Sequence, residues 1–81
     1  MQDGDPRADP AVVDLIELAG LWLGVDDRGA MARALQRLVE LLDARYPGQE
    51  AFKARFAGLL KVVETSSSEQ LRREYRRATL G

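Results

Sequence analysis

Residues 28–46 read RGAMARALQRLVELLDARY, and this stretch decides the fold class. Met31, Leu35, Leu38 and Leu42 recur at spacings of four, three and four, with Ala34, Val39 and Leu41 beside them. Arg33, Gln36, Arg37, Glu40 and Asp43 take the opposite side. Apolar residues at that period place one greasy stripe along a helix, so the pattern predicts an amphipathic helix over about 28–46. Asp26 or Asp27 can cap its start, because a short acceptor side chain satisfies the free N–H groups of a first turn. Pro47-Gly48 ends it.

The same reading extends in both directions. On the C-terminal side, Phe52, Phe56, Leu59, Leu60 and Val63 fall on one face and predict a helix over about 49–64. Ser66 and Glu69 have the spacing of a reciprocal capping box, and a last helix over about 67–79 offers Leu71, Tyr75 and Ala78 inward. The serines Ser66, Ser67 and Ser68 are read as capping residues, although a phosphate there would also suit a helix start.

On the N-terminal side, Asp9-Pro10 is a helix start: Asp9 accepts from the first turn, and Pro10 has no N–H to leave unpaired. The helix from about 10 to 23 is unusual. Nine of the twelve residues from Val12 to Leu23 are apolar, leaving Asp14, Glu17 and Gly20 as the exceptions. That arc is wider than the stripe of ~100° or somewhat more that a surface helix buries. Residues 1–9 show no periodicity and are read as a flexible acidic leader. No segment alternates with period two. The expectation is therefore all-α: a small four-helix bundle of antiparallel helical hairpins at 10–81, joined by short connections.

Composition narrows the chemistry. The chain has 81 residues, no Cys and no His. Imidazole and thiolate nucleophiles, general bases and metal ligands are therefore missing. No enzyme, cofactor or metal is expected. No run approaches the ~20 apolar residues of a membrane span. The acidic start, Met1-Gln2-Asp3-Gly4-Asp5, is unlike a basic signal-peptide start, which leads to a cytoplasmic expectation. Ten of the twelve basic residues are Arg, a usage expected of a GC-rich, bacterial genome.

Charge is divided unevenly. Residues 1–27 carry seven acids and one Arg, a net of −6, whereas residues 28–81 carry eleven basic and six acidic side chains, a net of +5. Such a division can orient an antiparallel self-association or steer a charged partner.

The functional expectation follows from the first helix. A last helix with three inward residues cannot easily cover nine apolar side chains, and exposed apolar patches on small proteins mark binding sites. The leading reading is a protein–protein interaction module, a homodimer or an adaptor to a larger protein. Its partner-binding residues would be Leu18, Leu21 and Trp22, tryptophan being enriched at interface hot spots. Arg72, Arg73, Arg76 and Arg77 would supply a polar rim or phosphate contacts. A nucleic-acid-associated regulator is the first alternative, using a helix-turn-helix-like stretch over 17–35 or that Arg cluster. Against it stand Asp26 and Asp27, which would face phosphate, and the net charge of −1. A death-fold-like adaptor domain of a larger signalling or defence protein is the second alternative, although that fold packs six helices and four are predicted here.

Overall fold

The computed structural model describes residues 4–80. A single 3-10 turn, Pro6–Ala8, leads into four helices: α1 (Pro10–Gly24), α2 (Arg28–Arg45), α3 (Glu50–Val62) and α4 (Ser68–Leu80). The ends agree with the expected limits to within one or two residues, and no strand occurs among the described residues. Each helix packs on its neighbour in sequence, and α4 returns to α1, so the bundle runs up, down, up and down and closes on itself. Side-chain bonds at both ends of the bundle fix these directions. Tyr46, after α2, donates its hydroxyl to Asp9 at the start of α1 (2.7 Å). Arg28, at the opposite end, donates to the carbonyls of Val63 (3.4 Å) and Ser66 and to Ser68 Oγ (3.1 Å).

The core is built from the residues the periodicity singles out. Met31, Leu35, Leu38 and Leu42 of α2 are fully buried, against Val12, Ala19 and Leu23 of α1 and Phe52, Phe56 and Leu59 of α3. From α4 come Leu71 and Ala78, with Tyr75 half-buried. Tyr75 donates its hydroxyl to the Ile16 carbonyl (2.8 Å) and lies over Gly20, where a side chain would collide with the ring. That contact is the local explanation of Gly20. Gly20-x-x-x-Gly24 has the spacing by which paired glycines let a second backbone approach, but Gly24 has open space around it and only Gly20 is in close contact.

Three local details differ from the sequence reading. First, Gly24 is the residue whose type suits a helix C-terminus, yet the chain leaves α1 through Asp26, which has φ 60°, the left-handed region. The N–H of Asp27 bonds the Trp22 carbonyl (2.9 Å) and the N–H of Asp26 that of Leu23 (3.0 Å), the paired bonds of a Schellman closure. An aspartate tolerates this backbone better than most residues, and here Asp26 Oδ1 also accepts from the Ser68 hydroxyl (3.1 Å). Asp27, not Asp26, then caps α2 by accepting from Ala30 (3.0 Å).

Second, α4 is capped by Ser67, whose Oγ accepts from Gln70 N (3.2 Å), and not by Ser66 paired with Glu69. Ser66 still belongs to the preceding turn: its N–H bonds Val62 and its carbonyl is taken by Arg28. Third, residues 4–9 of the leader hold a definite geometry, whereas residues 1–3 lie outside the described residues. Asp5 Oδ1 accepts from Arg7 N (3.0 Å), Pro6 is buried, and the Arg7 guanidinium sits 5.3 Å from the centre of the Phe52 ring. A cation over an aromatic face gains from the ring quadrupole.

Asp9 joins these ends. Its Oδ1 accepts from Ala11 N (2.9 Å), as the cap predicts, and its Oδ2 accepts from Tyr46 and from Arg45 (3.2 Å). The Tyr46 hydroxyl, with lesser help from Ala11 and Arg45, holds the Asp9 carboxyl below its ordinary value near 3.8. A carboxylate lowered on folding contributes stability above its unfolded pKa, and that contribution disappears as pH falls through the lower folded value. Asp9→Asn keeps an acceptor for Ala11 and Tyr46 but cannot titrate. Urea unfolding from about pH 5 down to about pH 2 is therefore expected to show the native chain's advantage over this variant shrinking with acid. A gap independent of pH would mean that the Tyr46 bond does not favour the ionised form.

Candidate interaction surface

The outer side of α1 is assembled from a helical repeat. Leu18, Leu21 and Val25 stand at i, i+3 and i+7, which puts them on one line along the helix surface. They are 38%, 67% and 69% exposed. Exposed Asp14 and Glu17 continue the same face toward the N-terminus, and α1 carries no basic residue. The remaining apolar residues of this helix do find cover: Val12, Ala19 and Leu23 are buried, and Leu15, Ile16 and Trp22 pack against the core from its edge. The apolar excess that the sequence indicates is thus concentrated in one row over the C-terminal half of α1.

Trp22 and Leu18 also form one wall of a shallow groove between α1 and α2, about 170 Å³ in volume. Ala30 and Ala34 of α2 make its floor, and Arg33 and Arg37 flank it. The small floor residues leave the space that the indole and Leu18 only partly fill. Arg33 and Arg37 are exposed and make no ion pair among the described residues, and neither do Asp14 and Glu17. A basic rim therefore borders an apolar row whose own helix is purely acidic.

The structure brings Leu18, Leu21 and Trp22 together, with Leu21 the most exposed of the three and Trp22 only partly so. It does not bring the Arg cluster into that groove. Arg72, Arg73, Arg76 and Arg77 are all exposed on the outer side of α4. Arg77 pairs with Glu74 at 3.9 Å, while Arg72, Arg73 and Arg76 line a separate shallow depression with Glu69. Arg72 and Arg76 also border Leu23, Tyr75 and the exposed Leu80, on the α4 side of α1. The rim of the Leu18–Trp22 groove is made by Arg33 and Arg37 instead. Sequence reasoning missed those two arginines and Val25. Val25 continues the Leu18–Leu21 spacing, and that was its available signal. The position of Arg33 and Arg37 depends on how α2 is rotated against α1, which no local spacing reveals.

The stretch 17–35 forms the end of one antiparallel hairpin, α1 against α2 over their whole lengths, since Asp9 meets Tyr46 at the far end. A DNA-binding helix-turn-helix instead crosses its helices at about 90–120°. No helix among the described residues is long and apolar enough to cross a membrane. Among the same residues, no three carboxylates are placed to share a metal ion. No family model, no curated protein and no solved structure matches the chain.

Proposed function

We propose that this chain is a non-catalytic protein–protein interaction module that docks through the outer face of α1. The observation that carries the reading is the row Leu18, Leu21 and Val25, left exposed by a bundle whose core is already closed on all four helices. Burying such side chains contributes about 25 cal/mol per Å² of apolar surface, a gain this fold leaves to another molecule. Trp22 beside the row supplies a rigid aromatic edge, and Arg33 and Arg37 supply charge that selects an acidic partner. The absence of His and Cys from the sequence and the use of its carboxylates as caps and surface charges favour a binding role over a catalytic one. Location in the cytoplasm of a bacterial cell belongs to the same proposal, on the sequence composition alone.

Leu21→Ser with Val25→Ser is the test. Both side chains are exposed, and although Val25 is the C-cap residue of α1 the cap is made by its backbone and not by its side chain, so each change should alter stability by about 0.5 kcal/mol or less. The double variant should therefore unfold at nearly the native urea midpoint while losing association, with itself or with a partner. A loss of several kcal/mol would show that the row belongs to the core and would remove the proposal.

Arg72, Arg73 and Arg76 keep a second reading open, nucleic-acid association through α4, because none of the three is paired among the described residues. Its mark would be an affinity that falls steeply with salt and is abolished by Arg72→Gln, Arg73→Gln and Arg76→Gln together.

A further inference from the structure

Resting on the interaction reading above, we infer that the molecule covering the outer face of α1 is a second copy of the same chain, docked antiparallel along α1. The argument is one of complementarity. The surface asks for an amphipathic helix with an apolar row and acidic neighbours, because it offers Leu18 and Trp22 flanked by Arg33 and Arg37, with Leu21 exposed next to them on α1. The chain itself presents such a helix: α1 has that row, has Asp14 and Glu17 on the same face, and has no basic side chain. Both halves of the contact are therefore on one molecule, and a two-fold axis satisfies each of them twice.

The helical rise gives the register. With the axis passing beside Leu18, Asp14 of one copy lies level with Trp22 of the other, and Glu17 lies level with Ala19. That is the stretch of α1 bordered by Arg33 and Arg37. A parallel arrangement would instead set Asp14 against Asp14, whereas the antiparallel register parts these two carboxylates by about 12 Å of helical rise. Asp14, Glu17, Arg33 and Arg37 have no ion-pair partner within their own chain among the described residues, so the pairing costs no existing contact. The row is short, which puts the contact at the small end of interface sizes and its dissociation constant in the micromolar range, on the order of 10–100 µM.

Sedimentation equilibrium on the full chain tests this. The native chain should pass from a monomer of 9.0 kDa to a dimer across that concentration range. Asp14→Lys with Glu17→Lys, and separately Arg33→Glu with Arg37→Glu, should each weaken the dimer by about tenfold or more, since like charges then meet. Mixed in equal amounts, the two reversed chains should form a heterodimer at least as tight as the native dimer. All four altered side chains are exposed, and circular dichroism checks that each variant keeps its helices. A native chain that stays monomeric to about 1 mM overturns the second-copy proposal. The same holds for a dimer that ignores both reversals or does not return on mixing. A monomeric native chain whose Leu21→Ser, Val25→Ser variant is still as stable as the parent leaves the interaction reading standing, with a different protein as occupant. Loss of stability in that variant fails both.

Discussion

Phe56→Ala is expected to cost about 3–5 kcal/mol, the usual range for deleting a buried aromatic ring. The side chain is 1% exposed, and its ring meets that of Phe52 edge-to-face at a centroid distance of 5.3 Å. Domains hold roughly 0.05–0.15 kcal/mol per residue, so the whole fold is worth about 4–12 kcal/mol. The loss is therefore about a quarter or more of the whole, and the variant should unfold at a clearly lower urea midpoint than the native chain. Phe56→Leu, which keeps most of the volume, should lose much less, about 1–2 kcal/mol. Urea titration followed by helical dichroism gives both values. A loss below about 1 kcal/mol for the alanine variant would mean that α3 is not anchored through this ring.

Gly20→Ala has an effect whose sign depends on a residue 55 positions away. In an isolated helix this change stabilises by about 1 kcal/mol, because alanine loses less backbone freedom on folding. Here the new Cβ would lie 2.5 Å from the Tyr75 hydroxyl oxygen and 3.0 Å from Cζ, so the ring must move and its bond to the Ile16 carbonyl must stretch or break. Overpacking of this kind costs about 1–3 kcal/mol, and the lost hydrogen bond adds roughly 1 kcal/mol. The net expectation is a destabilisation of about 1–3 kcal/mol in the native background. With Tyr75→Leu the obstacle is gone, and Gly20→Ala should then stabilise the fold by up to about 1 kcal/mol. A double-mutant cycle showing no coupling would mean that α4 does not close against α1 at this point.

The parts of the structure that were legible in the sequence are those set by local spacing. Met31, Leu35, Leu38 and Leu42 announce a buried stripe wherever α2 ends up, because the period of a helix fixes which side chains share a face. Asp9-Pro10 announces a helix start for the same reason: cap and first turn are adjacent in the chain. What stayed hidden depends on the third dimension. Three serines and a Glu-Gln pair allow more than one capping register, and Arg28, forty residues upstream of Ser68, settles it by taking the Ser66 carbonyl and the Ser68 hydroxyl. Asp26 takes the left-handed turn, although Gly24 is available, because the turn falls where Ser68 can bond it. Arg7 finds Phe52 across the bundle, which gives residues 4–9 a seat that no periodicity foretells.

The surface divides in the same way. Leu18, Leu21 and Trp22 stand out by the width of the apolar arc on α1, and two of them are exposed. The four arginines within residues 72–77 point to α4 as the source of their charged surroundings, yet α2 provides them. Only the rotation of α2 about its own axis, fixed by burial of Met31, Ala34, Leu35 and Leu38, brings Arg33 and Arg37 beside α1.

The chain holds a single tryptophan, and Trp22 lies in the wall of the groove beside Leu18. Its fluorescence, followed as the native chain is concentrated from low micromolar upward, is the most direct test that the outer face of α1 is an association surface. Covering the indole edge should shift its emission to shorter wavelength along the same curve as the rise in molar mass, and Leu21→Ser with Val25→Ser should abolish both changes. A rise in mass with no change in Trp22 emission would place the contact elsewhere on the molecule and contradict the account.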